Sequence, residues 1–270
     1  MIETYNQIFG SFYSISLTIP TATLPITLST SETLVKIANS LACIPLISTQ
    51  ISTALHHHRQ TLYTSISHDP ARFLLLSISL QNEAIYTESL IHIIGAHPSW
   101  PWPTARAVLP PSILAIVTRK SAQLSILCTE ISRELLLTTF TVHNDRPVDA
   151  QNHSEFDTWF VVQIFRDTLA RSFNALDDNR RPSLRRGSLF RKIGRGGSAW
   201  LRIEEASKLM RKIMPSALGS LEEDLEALKD YASGVVEKVA RNRSLVDVEK
   251  EEVGWLTCVE IGKGDVLWRM

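Results

Sequence analysis

The sequence predicts a mainly α fold, a helical bundle with a small C-terminal antiparallel β element. Three observations carry this. Apolar residues recur at spacings of three and four along most of the chain, the period of helices with one buried face. Hydroxyl or acidic residues and prolines precede several of those stripes, where helix starts use them. Late in the chain, two short runs flank a glycine-rich turn, and a third run of strand composition follows.

Residues 1–28 carry the weakest pattern. Gly10 to Thr27 is rich in β-branched residues and broken by Pro20 and Pro25, which predicts irregular or edge-strand structure. A helical region follows over 29–143. Ser29-Thr-Ser-Glu32 reads as a capping box, in which a hydroxyl accepts from a backbone N–H while the Glu reaches back. Behind it Leu34, Ile37, Ala38 and Leu41 share one face. Pro45 suits a first helical turn, and Ile47, Ile51, Ala54 and Leu55 continue the pattern. Asp69-Pro70 starts a helix carrying Phe73 to Leu80.

Ile85 to Pro103 is the clearest signature. Tyr86, Leu90, Ile93 and Ile94 form a single apolar stripe, and Gly95 stands where positive φ would stop the helix. Pro98, Pro101 and Pro103 forbid further helix, and Trp100 and Trp102 give the loop something to bury. Pro111 then opens a longer helix bearing Leu124, Leu127, Ile131 and Leu135.

Charged residues are sparse up to His143 and dense from Asn144, so 144–154 reads as a linker. A second helical region with the β element spans 155–270. Ser154-Glu-Phe-Asp157 caps a helix lined by Val161, Ile164, Phe165 and Leu169. Glu204 to Met214 is a short helix stopped by Pro215. Leu218, Leu221, Leu225, Leu228, Ala232, Val235 and Val239 mark a long helix, which for about three heptads reads as a bundle helix rather than a coiled coil. Leu189–Ile193 and Ala199–Ile203 flank Gly194-Arg-Gly-Gly197 as a hairpin, and Trp255–Ile261 has strand composition.

With 44% hydrophobic and 21% charged residues and zero net charge, the composition is that of a globular protein, and global charge argues for neither nucleic acid nor membrane. Cys43, Cys128 and Cys258 are far apart and set among apolar residues, which predicts reduced thiols in an intracellular protein. The first ten residues lack the basic and apolar regions of a signal peptide, and the apolar runs are short for a membrane span.

Arg180 to Arg202 holds Arg180, Arg181, Arg185, Arg186, Arg191, Lys192, Arg195 and Arg202 without an acidic residue. Three readings are open. One is a solvated loop and hairpin offset by the acidic Glu222–Asp230 stretch. Another is nucleic-acid or anion binding, with Phe190 and Trp200 supplying stacking. The third is a phosphorylation switch, because Ser183 and Ser188 each follow an Arg-Arg-x pattern that basophilic kinases read. His56-His57-His58 cannot converge on one ion, since successive helix residues point about 100° apart. Glu88 and His92 read as a surface ion pair. No cofactor or metal pattern, nucleophile elbow or phosphate loop is found, so the expectation is a non-enzymatic protein without a cofactor.

ETLVKIANSLACIPLISTQI (Glu32–Ile51), IYTESLIHIIGAHP (Ile85–Pro98), FDTWFVVQIFRDTLARSF (Phe156–Phe173), RRGSLFRKIGRGGSAWL (Arg185–Leu201) and GWLTCVEI (Gly254–Ile261) together resemble the C-terminal helical region of fungal BTB/POZ domain-containing proteins. The resemblance implies an adaptor role in protein–protein interaction, in the cytoplasm or nucleus. It also implies homodimerisation or contact with a cullin-type scaffold where an upstream BTB fold exists. Such a fold does not fit before Glu32, and Tyr5 to Thr27 is at most its trailing edge. The partner is then expected to meet a helical surface, the Arg-rich segment, or the loop around Trp100 and Trp102. Anion or nucleic-acid binding through 180–202 is the alternative.

Overall fold

The computed structural model describes residues 2–142 and 145–269, and among these are eleven α-helices and one two-stranded antiparallel sheet. In order they are α1 (Ile2–Ser11), α2 (Leu24–Ser40), α3 (Ile44–His56), α4 (Gln60–His68), α5 (Pro70–Leu80), α6 (Glu83–Ala96), α7 (Pro111–Leu137), β1 (Thr141–Val142), β2 (Arg146–Pro147), α8 (Phe156–Asp177), α9 (Ser183–Arg195), α10 (Ile203–Ile213) and α11 (Leu218–Ala240). The chain is mainly α, as the periodicity predicts. It divides into two units. Unit 1 holds the chain up to Lys120, Arg243–Val253, and the stretch from Val259 onward; unit 2 holds Ser121–Asn242 and Gly254–Cys258. The division falls within α7, and segment 144–154 lies inside unit 2. His143 and Asn144, where the linker was expected to begin, are outside the described residues.

Prolines set most helix starts in unit 1. Pro25, Pro45 and Pro70 sit in the first turns of α2, α3 and α5, where a fixed φ and a missing N–H cost nothing. Pro25 therefore starts a helix rather than breaking a strand. Ser29 lies inside α2 and donates to the Ile26 carbonyl at 3.2 Å, so no capping box forms there. Glu32 instead accepts two hydrogen bonds from Arg72 on α5, at 2.6 and 2.7 Å. The segment before α2 is irregular as expected, but α1 precedes it, anchored by Ile8 with its side chain fully buried. The core of unit 1 joins Leu34, Ile47, Ile51, Leu55, Leu62, Ile66 and Phe73 from α2 to α5.

Helix α6 is buried nearly all round rather than along one stripe. Gly95 is helical, and the helix ends at Ala96, next to the cis His97–Pro98 bond. The outer side of α6 is covered by residues far along the chain. Glu88, 2% exposed, accepts the Leu245 N–H through both carboxylate oxygens at 3.1 and 3.0 Å. His92 Nε2 lies 3.2 Å from Glu88 Oε1, so this pair is interior, not on the surface. Tyr86 donates to the Asp265 carbonyl at 2.7 Å and meets the Trp268 ring edge-on at 5.0 Å; burial and the Asp265 charge push its hydroxyl up to about 12.

The Asp265 carboxylate itself pairs with Arg119 at 2.6 Å and Lys120 at 2.8 Å and accepts the Gly262 N–H at 2.9 Å. Burial pushes its pKa up, but these partners outweigh burial and hold it below the usual carboxylate value.

In unit 2, α8, α9 and α11 enclose Val161, Phe165, Leu169, Phe190, Leu221, Leu225, Leu228 and Val236. α10 and α11 end and begin as the Pro215 and leucine patterns predict. The expected cap at Ser154 is replaced by a turn in which Ser154 donates its backbone N–H and its hydroxyl to Asn152 Oδ1. The sheet is not C-terminal: β1 and β2 pair Thr141 with Pro147 and Val142 with Arg146. The residues expected to form it do otherwise, since Leu189–Ile193 is helical in α9 and Trp255–Ile261 has no strand. Their large and β-branched residues are there to fill cores: Phe190 and Leu256 belong to that of unit 2.

Removing the interior carboxylate by Glu88→Ala leaves the Leu245 N–H without its acceptor, and is expected to cost about 3–5 kcal/mol in urea unfolding. Glu32→Ala, at a part-exposed pair, is expected to cost under ~1 kcal/mol. A Glu88 variant as mild as the Glu32 one would contradict this packing. Asp265 has a folded pKa below its unfolded one. Its stabilisation is therefore present above the ordinary carboxylate range and lost as pH falls through the folded value. Asp265→Asn is expected to flatten the loss of stability below about pH 4; an unchanged acid limb would contradict it.

Candidate functional site

The Arg-rich segment is a helix. Ser183, Gly187, Phe190 and Gly194 fall at intervals of four, three and four and form the inner face of α9. Glycine is used here for close approach. A Cβ on Gly187 would lie 2.1 Å from the Trp255 carbonyl oxygen, and one on Gly254 would lie 2.0 Å from that of Leu184. Two backbones thus touch with no side chain between them. The Ser188 N–H donates to the Gly254 carbonyl at 2.9 Å, and Arg191 Nη1 donates to the Trp255 carbonyl at 3.1 Å. Farther along, Gly194 packs on α11, where an added Cβ would come within 2.9 Å of Ala240. The Ser233 hydroxyl donates to the Gly194 carbonyl at 2.6 Å.

Only past the helix do glycines make the turn: Gly196 and Gly197 have φ of 58° and 50°. Lys229 of α11 closes that turn. Its buried ammonium donates to the Gly197 carbonyl and, at 3.3 Å, to that of Leu201, and burial lowers its pKa.

This packing sorts the basic residues. Arg185, Lys192 and Arg195 lie on the solvent side of α9 at helical spacing, with Arg180 and Arg181 exposed just before its start. Among the described residues the Arg185 and Lys192 side chains make no ion pair. Arg191 is buried, and Arg186 turns inward to Cys128. Burial pushes the Cys128 thiol up, outweighing the Arg186 charge, which is the opposite of an activated nucleophile.

Ser183 is 6% exposed and Ser188 half-buried, both within helical backbone. Phe190 and Trp200, expected to offer stacking faces, are core residues at 1% and 8% exposure.

The Trp loop is internal to unit 1. Trp102 is buried and donates to the Ser67 carbonyl at 3.0 Å; Trp100, half-buried, donates to that of Thr104 at 2.8 Å. Their rings meet edge-on at 5.1 Å. Trp102 is thus a core anchor, and only Trp100 offers any surface. The histidine triplet diverges as expected: His56 Nε2 meets the Asn82 amide at 3.1 Å and His58 Nε2 the Thr27 hydroxyl at 2.8 Å. Among the described residues no three His, Cys, Asp or Glu side chains are grouped to hold a metal ion. No family model, curated protein or solved structure matches the chain.

Because the α9 contact is backbone on backbone, Gly254→Ala or Gly187→Ala is expected to cost about 3 kcal/mol or more in urea unfolding. Gly234, in α11 with open space around its Cβ position, is the control: Gly234→Ala is expected to stabilise by about 1 kcal/mol. Equal effects at the two kinds of site would contradict the contact.

Proposed function

We propose that the chain is a non-enzymatic protein–protein interaction module, of the kind that follows a BTB fold in fungal adaptor proteins, and that it binds through the outer face of α9. The observation that carries this reading is the row Arg181, Arg185, Lys192 and Arg195. It is exposed and of one sign, and Arg185, Lys192 and Arg195 are set on a helix whose inner face is locked to its neighbours, with Arg181 just before its first turn. A fixed row of cations at helical spacing suits an acidic segment of a partner protein, which it would orient as well as attract. Cys43, Cys128 and Cys258 form no disulfide among the described residues, in keeping with an intracellular setting. No helix among the described residues is long and apolar enough to cross a membrane.

Binding of nucleic acid or another polyanion is the second reading, favoured by the same cations. With Phe190 and Trp200 in the core, it would rest on phosphate contacts without base stacking. A phosphorylation switch at Ser183 and Ser188 would require α9 to open first, since Ser183 is buried in helical backbone.

The test is Arg185→Glu with Lys192→Glu, compared with wild type by quantitative affinity purification and by melting. The protein-binding reading expects at least one protein to be lost by about tenfold or more at unchanged Tm. An identical set of bound proteins would overturn it. Binding of a mixed-sequence oligonucleotide that falls steeply with salt and vanishes in the variant would favour the second reading.

A further inference from the structure

Unit 2 also carries a groove of about 650 Å³ between the end of α7 and the middle of α11. It is lined by Leu137, Phe140, Ala227 and Leu228, with Glu130, Glu134 and Tyr231 along its edges. Leu137 is 62% and Tyr231 50% exposed, so part of the groove's apolar lining stands open to water. The Tyr231 hydroxyl donates to Glu134 Oε1 at 3.0 Å and ties the two walls together. Arg133 is the cation among the lining residues, and the exposed Glu223, Glu226 and Asp230 of α11 extend the acidic character.

The same chain carries the complement. α10 buries Ala206 and Met210 within its own unit and leaves Leu209 and Ile213, one turn apart, 38% and 60% exposed. Lys208, Arg211 and Lys212 flank them in the open, while the helix's acids, Glu204 and Glu205, are confined to its first turn. Two apolar side chains edged by cations complement an apolar groove edged by carboxylates in apolar character and in charge.

We propose that the α7/α11 groove of one copy receives α10 of a second copy. This is independent of the α9 reading, since neither surface includes that helix. Each copy carries both surfaces, so two copies can exchange α10 reciprocally about a two-fold axis or the contact can repeat head-to-tail along successive copies. A single helix seated in a groove buries little area, so the association is weak, reversible and sensitive to salt.

The test is sedimentation velocity of the full chain over rising concentration, with two double variants. Glu130→Lys with Glu226→Lys makes the groove's edge basic and leaves the Tyr231–Glu134 bond in place; Lys208→Glu with Lys212→Glu makes α10 acidic. Wild type is expected to self-associate, each variant alone at least ~10-fold more weakly at an unchanged melting temperature. An equal mixture of the two variants is expected to recover association, because each mixed contact again joins opposite charges. The proposal is overturned by a wild-type chain that stays monomeric up to about 500 µM, by a variant that associates as wild type does, or by a mixture that stays apart.

Discussion

The arrangement of unit 2 turns on one contact without side chains, the crossing of Gly254 and Trp255 over α9 at Gly187. A helix that meets another segment through glycines can come within hydrogen-bonding range of its backbone. Here the Ser188 N–H and the Arg191 guanidinium both reach that segment's carbonyls. The contact rotates α9 so that Phe190 and Ile193 enter the core and Arg185 and Lys192 face water. Helical period does the rest, because once one face is fixed the opposite face is fixed too. The basic row is thus a consequence of how the glycines pack.

Charge in this chain is balanced in sum and uneven in place. The interior takes its share into specific bonds: Glu88 holds the Leu245 amide, Asp265 holds Arg119 and Lys120, and Lys229 closes the turn after α9. Groups used this way are expensive to remove. The charges left outside are sorted by helix, with cations along α9 and the later turns of α10, and carboxylates along α11. A chain with no net charge thus presents faces of opposite sign on different helices, and the proposed contacts rest on those faces.

The helices were legible where the period was long and the ends were marked. Leu218 to Val239 predicts α11, and Pro111 marks the first residue of α7. What was misread came from residues with two physical uses. Gly194 reads as a turn former, yet it is a flat spot for α11; Phe190 and Ile193 have strand composition, yet they point inward from a helix. The Glu88–His92 spacing shows that the pair shares a helix face. It cannot show that a segment 157 positions away covers that face and makes the pair interior. The basic residues of the candidate site were visible in the sequence, but their division into outward and inward members depends on the Gly254–Trp255 crossing, which local pattern does not encode.

Residue-resolved amide hydrogen exchange over 183–195 tests this account most directly. A locked α9 predicts protection of its central amides comparable to that of α11, with the Ser188 amide among the slow ones because its acceptor is Gly254. Exchange across the segment as fast as in an exposed loop would contradict it, and with it the fixed basic face.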